Sequence, residues 1–281
     1  MTVAPHDIHD IAAAILAAHD GHKQIAPISS ADPSFGLDAA YRISDAIMAA
    51  RIARGERPLG WKIGFTNRNI WDEYGVHAPI WGPVYDTTLR DSQAGQGIHL
   101  DADAFVEPLI EPEIVFRFAR APHPDMDERE LLDCIDAIAH GCEIVQSIFP
   151  GWRFAPADTA AAFAMHGALI CGSLTPINEI NADDLIKALA GVTIQLLRNG
   201  EEVDRGTGTN VLDNPLTALK HFVAGLAACP MSRTIEAGDL VTTGTITRAF
   251  PVRNGERWET RIGGLSLPGL NIAFEPAVDA S

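Results

Sequence analysis

Positive charge is what this 281-residue chain has least of: 21 Lys and Arg stand against 37 Asp and Glu, a formal charge of −16. Without a basic stripe to neutralise phosphates, neither nucleic acid nor an anionic membrane is an expected partner. No apolar run approaches the ~18 residues a spanning helix needs, and Met1 to Asp10 holds no basic segment followed by an apolar one. A soluble, cytoplasmic protein is expected. Cysteine is sparse too. Cys134, Cys142, Cys171 and Cys229 never form C-x-x-C, so buried free thiols are expected in place of a disulfide framework or a thiolate zinc site. There is no G-x-G-x-x-G after a strand pattern, no P-loop, no G-x-S-x-G and no H-E-x-x-H, which argues against nucleotide-binding and serine-hydrolase chemistry.

What the chain does have is 47% hydrophobic residues, ample for a large buried core. Residues up to about 58 read as helical, with Ile8, Ile11 and Ile15, then Leu37, Ala40, Tyr41, Ile47 and Met48 at helical spacing; Gly55 is placed to end the second helix. Beyond Leu59, short apolar runs punctuated by Gly and Pro predict strands and loops. Asp127 with Glu130 forms a capping-box pattern that predicts a helix with Leu131, Leu132, Ile135 and Ile138 on its apolar face. Asn214-Pro215 opens another helix, and a shorter one is expected over 183–189. Residues 192–197 and 202–206 flank Asn199-Gly200, a hairpin signal, and further strands are expected over 240–247, 258–262 and 270–274. Strands that do not alternate regularly with helices favour an α+β, β-roll arrangement over a doubly wound sheet. The expected organisation is one structural unit, a helical subregion over 1–58 and a β-roll catalytic domain over 59–281.

The acidic excess is either a solvated surface or, in part, carboxylates gathered to hold a metal. In a strand, Glu111 and Glu113 point to one face and repel; a divalent cation relieves that repulsion, and a solvent-facing strand edge is the plainer alternative. Glu143 lies in an otherwise apolar segment, where a carboxylate is costly unless coordinated or paired with Lys or Arg. Lys62, between Gly60 and Gly64 in an apolar run, either serves a substrate oxyanion or proton transfer, or closes a structural ion pair. The segment 67–86 carries Trp71, Tyr74, Trp81 and Tyr85, a composition that suits a water-excluding lid. Hydroxyls around Gly244, from Thr242 to Thr247, followed by Arg248, could bind a carboxylate. By position alone, His77 and His166 read as structural.

Taken in order, Leu37-Asp-Ala-Ala-Tyr41-Arg-Ile43, Trp61 to Thr66, Ile110-Glu-Pro-Glu-Ile114, Glu143, Asn199-Gly200 through Gly208, Asn214-Pro215-Leu216, and Gly238-Asp239 leading into Thr243-Gly244-Thr245 resemble the 2-keto-4-pentenoate hydratase and 4-oxalocrotonate decarboxylase branch of the fumarylacetoacetate hydrolase superfamily. The resemblance covers most of the chain. It implies a mixed β-roll with an N-terminal helical extension, Mg²⁺ or Mn²⁺ on Glu111, Glu113 and Glu143, Lys62 in the active site, and a homo-oligomer. It further implies a hydratase acting on a small 2-oxo acid in aromatic catabolism, which adds water to a 2-hydroxy-2,4-dienoate; 2-oxo acid decarboxylation, C–C hydrolysis or a non-catalytic relative are the alternatives. Two departures stand out: Pro79-Ile80-Trp81-Gly82 lacks the acidic residue of the hydratase pattern, and Ala162-Phe163 replaces an Asp-Asn pair. Lys62, Asp158 and His166 are therefore the expected catalytic residues, with Arg153 and Asp86 as further polar candidates. Thr243, Gly244, Thr245 and Trp81 are the expected substrate contacts.

Overall fold

The computed structural model describes residues 5–92, 97–177 and 180–277. Helices α1 (Pro5–Asp20), α2 (Ile28–Ala31) and α3 (Leu37–Ala53) precede β1 (Pro58–Gly64), α4 (Trp71–Tyr74), β2 (Ile80–Tyr85), β3 (Leu89–Asp91), β4 (Ile98–Leu100) and β5 (Leu109–Phe118). Next come α5 (Glu128–Leu132), β6 (Ile135–Val145), α6 (Pro156–Ala161), β7 (His166–Cys171), β8 (Thr175–Pro176), α7 (Ala182–Gly191), β9 (Thr193–Arg198) and β10 (Glu201–Thr207). The chain closes with α8 (Pro215–Ala228), β11 (Leu240–Thr242), β12 (Phe250–Pro251), β13 (Arg257–Gly263) and β14 (Asn271–Phe274).

Among the described residues, nine strands form one sheet, in the order β2-β1-β11-β5-β6-β7-β3 with β12 on β5 and β8 on β6; five form a second, β10-β9-β13-β14-β4. Both sheets are mixed: β1 and β11, β3 and β7, and β4 and β14 run parallel, and the other pairs antiparallel. This is the expected α+β roll. Ile15 of α1 and Ile43 and Ile47 of α3 belong to the same buried apolar cluster as Trp61, Ile114, Phe163 and Phe222, so the first helices share the core of the large sheet, α1 against α3 and α3 against α6. No helix among the described residues is long and apolar enough to cross a membrane. The cysteines are free; Cys134, Cys142 and Cys171 are buried, and Cys229 is half-buried.

Local signals explain many boundaries. The side chain of Asn214 accepts the Leu216 amide at 2.9 Å and caps α8, with Pro215 at the first helical position. Asn199 (φ 53°) and Gly200 (φ 86°) both take the left-handed conformation that a tight hairpin turn requires. The Asp127–Glu130 capping box forms as expected, yet α5 stops at Leu132, and Ile135 and Ile138 belong to β6. Pairing of β6 with β5 along nearly its whole length, Ile135 opposite Phe118 and Ile138 opposite Phe116, overrides the helical spacing. The strand expected over 240–247 likewise ends at Thr242. Gly244 turns the chain at φ 93°, and it rejoins β5 through Ile246 N donating to Pro112 O at 2.9 Å. Helix α6 and the turn after it were not foreseen.

Candidate metal centre

Strand alternation puts Glu111 and Glu113 on one face of β5, and the antiparallel register places Glu143 of β6 directly opposite Glu111. One carboxylate oxygen from each of the three lies within 4.8 Å of the others. Glu113 and Glu143 are buried; Glu111, half-buried, is the one that borders a cavity. Around them the partners are specific. Gly244 N donates to Glu113 Oε2 at 2.8 Å. His166 Nδ1 lies 2.8 Å from Glu143 Oε1 and Nε2 lies 2.8 Å from Thr88 Oγ1. Because a carboxylate only accepts, Nδ1 carries the proton. Lys62 Nζ donates to Ala164 O at 2.7 Å and forms an ion pair with Glu143 Oε2 at 3.3 Å.

Electrostatics divides the cluster. Burial opposes the charge on Glu143, but Lys62 and His166 outweigh it and hold its pKa below the usual carboxylate range. Burial pushes Glu111 up to about 7, against the pull of Lys62 and with the repulsion of Glu143. Burial and then the charges of Glu143 and Glu111 raise Glu113 well above its ordinary value. Burial works against the Lys62 ammonium, and the three carboxylates overcome it, so Lys62 stays charged. The donor set fits a hard divalent cation. Glu113 Oε1 is buried without a hydrogen-bond partner, the state of a ligand oxygen that a protein group does not satisfy; Glu143 Oε2 faces the Lys62 ammonium at 3.3 Å.

The cavity beside the cluster measures about 200 Å³. Lys62, Glu111 and Ala164 line it together with Phe65, Tyr74, Leu109, Trp152, Met165 and Phe250, and Glu73 and Arg248 also border it. Of the aromatic residues expected in a lid, Tyr74 borders the cavity, whereas Trp81 and Tyr85 sit within β2.

Several expected site residues do something else. Trp81 points to the opposite side of the sheet, stacked on Tyr41 at 5.0 Å and edge-on to Phe222 at 5.6 Å. A Cβ on Gly225 of α8 would lie 2.4 Å from its ring, so it is packed in the core and does not border the cavity. Asp158 spends both carboxylate oxygens on structure: Ser29 N at 3.0 Å, Ser29 Oγ at 2.5 Å and Ala155 N at 2.8 Å. It ties α2 to the start of α6 and does not border the cavity. His166 stands behind Glu143, hydrogen-bonded to its Oε1, and does not border the cavity. Thr243 and Thr245 are buried and donate to Ile114 O at 3.1 Å and Thr247 O at 2.9 Å. With Gly244 N on Glu113, this turn grips a glutamate, and none of its three residues borders the cavity. Asp86 pairs with Arg57 at 3.0 Å, and Arg153 borders a separate surface cleft.

The second partner of Lys62, the Ala164 carbonyl, comes from an unusual turn. Phe163 (φ 57°), Ala164 (φ 49°) and Met165 (φ 66°) are three successive left-handed residues without a glycine, a conformation costing ~1–2 kcal/mol per residue. The turn delivers the Ala164 carbonyl to Lys62. Phe163 is held by the His19 ring, with centroids 4.5 Å apart, and by the Arg51 guanidinium at 5.4 Å. Gly82 admits the turn, since a Cβ there would lie 2.7 Å from Phe163 O. The departure at Ala162-Phe163 is thus a buried, apolar support. Nothing in the local sequence signals it.

The family model for the fumarylacetoacetate (FAA) hydrolase C-terminal domain matches residues 83–268. Relatives include a 2-keto-4-pentenoate hydratase of Paraburkholderia xenovorans (strain LB400), 29% identical with 94% of each chain covered. A 2-hydroxyhexa-2,4-dienoate hydratase of Comamonas testosteroni is 27% identical, covering 89% of this chain and 91% of that one. Among solved structures, 4-oxalocrotonate decarboxylase from Pseudomonas putida G7, complexed with magnesium and adipate, superposes with a TM-score of 0.87 at 25% identity, covering 97% and 99% of the two chains. The match spans well over half of the sequence and includes the glutamates of β5 and β6, so the chain belongs to the fumarylacetoacetate hydrolase family.

Proposed function

We propose that this protein is a metal-dependent hydro-lyase that adds water to a 2-hydroxy-2,4-dienoate to give a 4-hydroxy-2-oxo acid. The observation that carries the reading is the three-glutamate cluster, with an unsatisfied buried oxygen on Glu113, set beside Lys62 on the border of a small cavity. Near-full-length relatives named as hydratases supply the substrate class. Glu111, Glu113 and Glu143 would hold Mg²⁺ or Mn²⁺, which when bound polarises the carboxylate and 2-oxygen of a 2-oxo acid.

This chain's residues do the rest. The Gly244 amide and His166 fix the orientations of Glu113 and Glu143. Lys62 Nζ, held by Ala164 O and Glu143, presents a fixed ammonium to the cavity, where it steadies negative charge building on the 2-oxygen as a proton moves along the diene. Phe65, Tyr74, Trp152 and Phe250 surround the carbon chain and restrict solvent to the water that reacts. Within this reading, residues 1–58 buttress the catalytic unit 59–281. The enzyme works in the cytoplasm as a homo-oligomer in aromatic catabolism, on a small 2-oxo acid.

The backbone match to a decarboxylase over 97% of the chain favours a second reading, decarboxylation of a 2-oxo acid at the same centre. The discriminating experiment incubates metal-loaded protein with 2-hydroxypenta-2,4-dienoate, follows the loss of its ultraviolet absorbance and identifies the product. Formation of 4-hydroxy-2-oxopentanoate is expected. Intact dienoate, together with CO₂ release from a 2-oxo-enedioate, would replace hydration with decarboxylation.

A further inference from the structure

We infer that Tyr74 is the residue that carries protons to and from the substrate's carbon chain, with Glu73 as its exchange partner on the solvent side. This deepens the function proposed above and rests on the cavity holding a 2-oxo acid, whether hydration or decarboxylation follows.

The reaction moves a proton along the carbon chain, and some group bordering the cavity must hold it. Five titratable side chains border the cavity: Lys62, Glu73, Tyr74, Glu111 and Arg248. Lys62 stays charged and has no lone pair with which to accept a proton. Glu111 is committed to the cation, and Arg does not release a proton inside a protein. Glu73 and Tyr74, neighbours in α4, are left.

Tyr74 is half-buried and Glu73 is exposed, so the pair joins the cavity to solvent. The Tyr74 ring is fixed. It stacks on Phe154 with centroids 5.8 Å apart and planes 9° apart, and it stands edge-on to Phe65 at 6.0 Å and to Trp152 at 6.4 Å. Trp71, which opens α4, donates from Nε1 to Phe65 O at 2.7 Å and anchors the helix to the end of β1. The hydroxyl is influenced from both sides: Glu73 acts on it by charge and by hydrogen bonding, and Glu111 acts on it by charge. Burial and then these charges push its pKa up to about 12, so it stays a neutral phenol.

A neutral hydroxyl accepts one proton while donating another, and it stores no charge in a site already rich in carboxylates. In one direction the C–H bond at carbon 3 of a 2-oxo acid breaks, and its electron pair forms the double bond to carbon 2 as the carbonyl pair moves onto oxygen. The proton goes to Tyr74 Oη, and the phenolic proton passes to the Glu73 carboxylate. Protonation of the carbon chain is the same relay reversed, from the Glu73 carboxyl through Tyr74 to carbon. Exchange of Glu73 with solvent completes the cycle.

Deuterium exchange at carbon 3 of 2-oxopentanoate, followed by NMR in deuterium oxide with the Mg²⁺-loaded protein, reads the relay without requiring hydration. Calorimetric titration with Mg²⁺ and with the 2-oxo acid reads binding separately. Tyr74→Phe keeps the stacked ring and should slow exchange roughly 100-fold while leaving both affinities within about twofold of wild type. Glu73→Gln, which cannot take up the proton, should slow it roughly tenfold, and Glu73→Asp should recover part of that loss. Exchange at the wild-type rate in Tyr74→Phe or Glu73→Gln would overturn the assignment, as would equal loss of exchange and of 2-oxo acid binding, which would make Tyr74 a wall of the cavity only. A wild type that exchanges carbon 3 through Tyr74 but hydrates no dienoate would overturn the hydratase reading and leave this one intact.

Discussion

Glu111 and Glu143 face each other across the β5–β6 ladder as direct register partners, yet their protonation is pushed in opposite directions. Glu143 faces Lys62 and His166 and stays ionised; at Glu111 burial, with a like-charged neighbour, outweighs the pull of Lys62. In the absence of a cation, then, the cluster keeps its charge low by retaining protons.

Proton competition sets the pH dependence of metal binding. Glu111 is protonated below about 7, and burial and its charged neighbours push Glu113 in the same direction, so a divalent ion must displace protons. Mg²⁺ or Mn²⁺ affinity should fall as pH drops from 8 to 6, by up to about tenfold per unit for each proton displaced. Calorimetry in buffers of different ionisation enthalpy measures the protons released, and a pH-independent affinity would contradict the assignment.

His166 acts through Glu143, and His166→Ala should show it. Loss of the 2.8 Å bond to Oε1 should weaken metal binding or lower kcat by about 10–100-fold, the usual effect of removing a partner that orients a ligand. His166→Gln, which retains an N–H donor, should recover part of the loss. Mn²⁺ titration and steady-state kinetics on both variants are the measurements, and wild-type values for His166→Ala would remove it from the site.

The left-handed turn makes a pair of opposite stability predictions. Ala164→Gly relieves ~1–2 kcal/mol of backbone strain but loses a buried methyl, ~0.8 kcal/mol, and adds chain entropy; the net should lie within about 1 kcal/mol of wild type. Gly82→Ala drives a Cβ to 2.7 Å from Phe163 O and should destabilise by ~1–3 kcal/mol. Urea denaturation of both checks this.

His140 should make stability fall with acid. Burial lowers its pKa from 6.5 to about 4, with Nδ1 on Glu113 O at 2.9 Å and Nε2 facing Thr260 Oγ1 at 2.8 Å. Between those values the unfolded chain binds the extra proton. The contribution is therefore complete above pH 6.5 and is lost as pH falls towards 4, roughly 3 kcal/mol in all. Glu111 has the opposite sign, since its raised pKa favours the metal-free fold on acidification from 7 towards 4.5. Comparing metal-free wild type and His140→Gln at pH 7 and 4.5 cancels the shared carboxylate titrations, and the wild type should lose more stability.

Much of this was legible in the sequence where the signal is local. Alternation alone put Glu111 and Glu113 on one face, and the cost of a lone carboxylate in an apolar strand singled out Glu143. Asn214, Asp127 and Asn199-Gly200 announced caps and turns through side chains that bond their own neighbours. What was not legible depends on pairing between distant segments. β2 is buried along its length, so composition could not say which side Trp81 faces. The hydroxyl of Thr243 reads as a substrate donor in the sequence because its carbonyl partner, Ile114 O, belongs to a distant segment. The Ala164 carbonyl is a main-chain group in a turn without glycine, and no residue type marks it.

Asp158 occupies no place beside the cavity, but its bonds to Ser29 fasten the first helices to the run of chain that ends in Phe163 and Ala164. His19 closes the same connection from α1. Shortening the chain at its N-terminus, or fusing a partner close to α1, would thus loosen the carbonyl that holds Lys62. An engineer who treats the leading helices as a disposable handle would be editing the active site by proxy.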